Sequence, residues 1–156
     1  MDDWHRQTNR AARAAERQWE GCGIGGFAYT QTTIDQPRTV QWTIREITSA
    51  KELQAEGRTM RHCVGSYSVS CARGNISIWT VQARYAELDD CRSVLTVALT
   101  RDRRVSEVRG RFNTLPGRRP PGVTRLDNIE SELLVRSPKI VRRWAAAEGL
   151  LVPESI

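Results

Sequence analysis

The eight residues Ser93–Thr100 (Ser-Val-Leu-Thr-Val-Ala-Leu-Thr) constrain this chain more than any others. They are β-branched or apolar nearly throughout and show no helical stripe, so they predict a strand near the middle of a sheet. The polar run Thr100-Arg101-Asp102-Arg103-Arg104 follows and turns the chain back into Val105–Phe112, which predicts a β-hairpin. A sheet of this kind needs helices to cover it, and the other segments supply them.

Upstream, Val40, Trp42 and Ile44 alternate with Gln41, Thr43 and Arg45, the pattern of a half-buried strand, and Ile76–Val81 is a second apolar run of strand length. Between them Ser49-Ala50-Lys51-Glu52 reads as a capping box, Ser49 accepting from the Glu52 backbone N–H while Glu52 reaches back. The helix it opens runs to about His62 with Leu53 and Met60 inward, and Gly57 is either its weak point or a close-packing site. Two helices are expected to close the chain. One lies near Arg125–Val135; the other has Ser137 as N-cap, Pro138 as its first residue and Gly149 beyond its end. At the other terminus, residues 3–20 have helical composition, and Gly21-Cys22-Gly23-Ile24-Gly25-Gly26 interrupts them. The expected class is α+β: an antiparallel sheet of about four strands covered on one side by helices. Residues 1–36 would form an N-terminal helix and Gly-rich connector, and residues 37–156 one α+β domain.

The chain has 156 residues and a formal net charge of +6. Of its 24 basic residues only Lys51 and Lys139 are lysine. Arginine's planar fork suits phosphate and carboxylate, so a polyanionic partner is one reading, and a compositional habit of the genome is the other. Nothing at the start resembles an apolar export signal, and no apolar run reaches membrane-spanning length. The expectation is a cytoplasmic protein with no membrane partner, in which Cys22, Cys63, Cys71 and Cys91 are reduced.

The run Glu56-Gly57-Arg58-Thr59-Met60-Arg61-His62-Cys63-Val64-Gly65-Ser66-Tyr67 is followed by Cys71-Ala72-Arg73-Gly74 and Ile76-Ser77-Ile78-Trp79. Together these resemble the signature of PcfJ-like proteins of conjugative plasmids and related mobile elements. Val105-Ser106-Glu107-Val108-Arg109-Gly110-Arg111-Phe112-Asn113 is similar to a family strand that ends in Arg-Gly with a nearby Asn, and Trp144 fits a Trp in the closing helix. The resemblance spans roughly residues 40–147. It implies a link to mobile elements and carries no assigned reaction or cofactor.

Three chemistries fit these residues. In the first, Cys63 is a nucleophile and His62 its base, but adjacent side chains diverge on a helix or a strand, so His62 would have to fold across a tight turn. The competing reading makes Cys63 a small buried hydrophobe. The second is a zinc site of His62, Cys63, Cys71 and Cys91, whose spacing lacks the short pairs such sites use; no metal and no cofactor are expected. The third is anion recognition. Arg109, Arg111 and Asn113 fall on one face of a strand by its period of two, and two guanidiniums with an amide can hold a phosphate. With His62 and Tyr67 alongside they would make a polar pocket. The alternatives are ordinary surface charge and, for Tyr67, a buried ring.

The candidate catalytic residues are therefore His62, Cys63 and Tyr67. The candidate binding residues are Arg61, Arg73, Arg109, Arg111 and Asn113. The leading expectation is a mobile-element-associated domain that binds a polyanion, plausibly nucleic acid. A hydrolase or group transferase working through His62 or Cys63 is the rival, and a protein-interaction module of a transfer or defence complex is a third reading.

Overall fold

The computed structural model describes residues 17–32, 39–62, 64–88, 90–117 and 126–156. Five strands run in chain order as one antiparallel sheet: β1 Phe27–Thr32, β2 Thr39–Ile47, β3 Ile76–Tyr85, β4 Asp90–Thr100 and β5 Val105–Gly110. Among the described residues three α-helices pack on it: α1 Ala50–Met60, α2 Ser68–Ala72 and α3 Asn128–Glu148. This is the expected α+β class, with one strand more than the four anticipated. The additional strand is β1, where Phe27, Tyr29 and Gln31 alternate with smaller or polar residues and pair with Ile44, Trp42 and Val40.

The helices lie on both faces of the sheet, not on one. Strand alternation divides the apolar residues into two sets. Trp42, Ile44, Trp79, Val81, Leu95 and Val97 meet Leu133, Ile140 and Trp144 of α3. Ile47 and Ile78, on the opposite face, meet Leu53 of α1 together with Val64 and Cys71. Because the central strands are apolar on both faces, each face needs a cover.

The two closing helices are one. Pro138 sits inside α3 with Ser137 beside it, and the N-cap is Asp127, whose side chain forms a reciprocal capping box with Glu130. A proline has no N–H to offer the carbonyl four residues back, which here is Leu134. That carbonyl is taken instead by the Ser137 hydroxyl at 2.7 Å and by the Gly117 N–H at 3.1 Å, so the helix continues past the proline. Gly149 ends it in a left-handed conformation, as expected. In α1 the Ser49 half of the capping box forms, but the Glu52 carboxylate pairs with Arg45 at 2.6 Å instead of reaching back.

Most of the expected N-terminal helix lies outside the described residues. Its last residues, 17–20, are not helical: Gln18 bridges to Ser49, and the Trp19 indole donates to the Ile47 carbonyl at 3.1 Å. No helix among the described residues is long and apolar enough to cross a membrane.

Candidate functional site

The site lies on the α1 face of the sheet, where the apolar cover stops short of β5. In α1 the helical period places Leu53, Glu56 and Met60 on one inward stripe, so a carboxylate enters an otherwise apolar row. Glu56 is 7% exposed. The helix ends on Arg61, whose left-handed backbone (φ 57°) lets the His62 N–H return to the Gly57 carbonyl. A Cβ on Gly57 would stand 3.1 Å from the His62 carbonyl oxygen, so this residue is the close-packing site that lets the turn fold against its own helix. The 3₁₀ turn Val64–Tyr67 then lies across the face and buries Val64.

The sheet presents a polar row beneath this turn. Register aligns Arg45, Thr80, Thr96 and Arg109 across β2 to β5, all on the α1 face. Thr96 joins the two layers: its hydroxyl donates to Glu56 Oε2 at 2.9 Å and lies 3.0 Å from His62 Nε2. A hydroxyl has one hydrogen, so with Glu56 ionised it accepts from a protonated Nε2. His62, Thr96 and Glu56 form one hydrogen-bonded chain running from the turn into the core. Burial pushes the Glu56 carboxyl above its ordinary value, a rise moderated by the threonine hydroxyl contacts. Burial also lowers the His62 pKa, against the opposing pull of Glu107, which makes the imidazolium a readier proton donor.

Above this chain is a cavity of about 350 Å³. Arg61 and His62 line it from the end of α1, Ser66 and Tyr67 from the 3₁₀ turn, and Thr96 from β4. Glu107 and Arg109 close it from β5, with Asn113 beyond the strand end. Arg109 Nε is 3.9 Å from Glu107, and its Nη1 donates to the Val108 carbonyl at 2.9 Å. Five of the expected residues therefore meet in one hollow: Arg61, His62, Tyr67, Arg109 and Asn113.

Arg111 does not join them. The strand ends at Gly110, and Arg111–Asn113 coil into a 3₁₀ turn with Phe112 and Asn113 at positive φ, which ends the period of two. Arg111 turns to Glu130 of α3 at 2.9 Å, while Asn113 is carried back to the cavity. The turn is fixed by Gly110, where a Cβ would stand 2.6 Å from Leu134 Cδ1 and collide with Thr114 Oγ1. Arg73 also lies away from the cavity, in the turn after α2 that Arg101 clasps through the Arg73 and Gly74 carbonyls. Cys63 is outside the described residues. Cys71 is buried and its thiol is pushed up to about 11 by that burial, so it behaves as a small hydrophobe.

Glu56, Thr96 and Glu107 were not among the residues singled out from sequence. The Leu53-Glu56-Met60 spacing was the available signal for Glu56. Thr96 sits in a strand apolar on both sides, where a threonine reads as a β-former.

No curated protein and no solved structure matches the chain. The family model described as PcfJ-like protein matches residues 2–119, a span that takes in all five strands, α1, α2 and every cavity residue but stops short of α3. This chain belongs to the PcfJ-like protein family.

Proposed function

We propose that the cavity binds a phosphate-bearing polyanion, and that the partner is a nucleic acid strand handled by a mobile element. The observation that carries this reading is the meeting of Arg61 and Arg109, from two separate elements, in one hollow with the Asn113 amide and the Tyr67 hydroxyl. Guanidiniums bind phosphate through charge and paired N–H donors, and an amide and a phenol add orientation. Tyr67 is 38% exposed, which leaves its ring free to stack on an unpaired base. Single-stranded nucleic acid fits a hollow of this size better than a duplex groove does.

The overall charge contributes less than its size implies. Arg92 and Arg136 are engaged by acidic side chains, and Arg101 and Arg103 of the hairpin turn are spent on the backbone carbonyls of Gly74 and Glu148. Arg118 and Arg119 lie outside the described residues. Binding in the cavity should depend on Arg61 and on Arg109, although Nη1 of Arg109 is already held by the Val108 carbonyl.

The test is titration of labelled single-stranded nucleic acid across a range of salt. Affinity should fall steeply as salt rises. Arg109→Ala should weaken binding by the ~1.5–3 kcal/mol typical of a charged hydrogen bond. No binding at low salt, or binding indifferent to salt, would refute the reading.

A further inference from the structure

The anion cavity contains a group that an anion site does not need. The Glu107 carboxylate faces the same hollow as Arg61 and Arg109, where it opposes a phosphate. His62 faces it from a different wall. One carboxylate and one imidazole beside two guanidiniums make up a complete set for moving protons around a phosphodiester.

We propose that the cavity cleaves RNA by transesterification, with Glu107 as general base and His62 as general acid. The proposal rests on the nucleic-acid reading above and names its substrate. Glu107 takes the proton of a ribose 2′-hydroxyl. The 2′-oxygen attacks the adjacent phosphorus, the O2′–P bond forms, and the P–O5′ bond breaks. The electron pair leaves with O5′, which takes a proton from His62. The products are a 2′,3′-cyclic phosphate and a 5′-hydroxyl. Glu107 ends protonated and His62 neutral, and exchange with solvent restores both.

The surrounding contacts assign His62 the acid role. Nε2 is committed to Thr96, whose own proton goes to Glu56, and the ring also bonds the residue's own backbone, so the proton handed to a ligand is the one on Nδ1, released from that backbone contact. Burial lowers the His62 pKa, while the ring's backbone contact and the facing Glu107 carboxylate support positive charge, so the residue begins the step protonated in solution on the acid side of 6.5. Thr96 and Glu56 are thus positioning residues. Arg61 and Arg109 would hold the charge that builds on the phosphoryl oxygens. RNA is the substrate because its 2′-hydroxyl is a nucleophile already beside the phosphorus, so one acid and one base suffice.

The experiment incubates the full chain with end-labelled random-sequence single-stranded RNA and with its DNA counterpart, following binding and cleavage separately. Both strands should bind, and only RNA should be cut, leaving 2′,3′-cyclic phosphate ends. Glu107→Gln and His62→Gln should each lower cleavage about a hundredfold or more. Glu107→Gln should also bind RNA at least as tightly as the parent, since a repelling charge is gone. It sits on the partly exposed wall of the cavity, so it carries the test should His62→Gln fail to fold. RNA that is bound and never cut, or cleavage that survives both substitutions, overturns this inference and leaves the binding reading standing. Failure of both strands to bind overturns the binding reading itself.

Discussion

The two faces of the sheet are made by the same strands and are built on different principles. Toward α3 the interior is aromatic and apolar: Trp42, Trp79 and Trp144 are at most 1% exposed, with the Trp79 and Trp144 rings 4.8 Å apart. The two indole N–H groups there each have one acceptor, the Gly25 carbonyl for Trp144 at 2.9 Å and the Ser77 hydroxyl for Trp79 at 2.9 Å. Toward α1 the apolar cluster is small, and beside it run a buried carboxylate, a threonine and a half-buried imidazole in one hydrogen-bonded chain. A core selected only for stability would not bury a carboxylate, since desolvation disfavours its charged form. The difference teaches that stability and site chemistry are divided between the faces, and substitutions can separate them.

The largest effect should come from the α3 face. Trp144→Ala removes a fully buried indole, its ring contact with Trp79 and its hydrogen bond to the Gly25 carbonyl. The expected loss is ~3–5 kcal/mol in chemical denaturation, the range for large-to-small aromatic truncation in a core. Because the cavity is on the other side of the sheet, the proposed nucleic-acid affinity of the fraction that remains folded should be unchanged. A Trp144→Ala protein of parental stability would show that the division between faces is wrong.

The same division explains which features could be read from the sequence. The central strands, the hairpin and Leu53 and Met60 of α1 follow from periodicity, because each reports burial on its own. The convergence of His62, Tyr67, Arg109 and Asn113 was anticipated from two segments that each carried more polar groups than a surface loop needs. What could not be read depended on partners distant in sequence. Pro138 looks like a helix start until Ser137 and Gly117 are seen to occupy the carbonyl it leaves free. Arg111 looks like a neighbour of Arg109 until Gly110 packs against Leu134 and the strand stops. Thr96 becomes part of a site only because Glu56 and His62 reach it from another layer.

The α1 face should respond to pH in a way the α3 face does not. Glu56 holds its proton more tightly folded than unfolded, so the folded state loses stability as pH rises from the ordinary carboxylate value of 4.5 to its raised folded value. Above that window the full penalty applies. His62 acts in the other direction: its folded value lies below 6.5, so folding is penalised as pH falls from 6.5 toward that value. Glu56→Gln removes the first effect while its amide oxygen can still accept from Thr96. In thermal melts the variant should gain on the parent as pH rises from 4.5 and then hold a constant lead, an effect smaller than the Trp144 loss. Parallel stability curves for the two proteins would mean that Glu56 titrates as an exposed carboxylate does.

The smallest effect on stability should come from Gly57, and there the comparison is sharpest. Replacing a glycine inside a helix with alanine normally gains up to about 1 kcal/mol through the unfolded chain. At Gly57 the added methyl meets the His62 carbonyl oxygen at 3.1 Å, with the Gly65 nitrogen at 3.5 Å, so the neighbour that must give way is backbone. The two contributions oppose each other, and the net change in stability should stay within about 1 kcal/mol of zero. The site should not be so forgiving. Movement of the His62 carbonyl also moves the imidazole, whose bond to Thr96 is 3.0 Å and tolerates little lengthening. Gly57→Ala should therefore fold and melt nearly as the parent does while the proposed His62-dependent cleavage falls. Its hallmark would be an altered histidine resonance in NMR titration beside an unchanged melting temperature. An unaltered titration with full activity would show that the turn after α1 absorbs the methyl without passing the strain to His62.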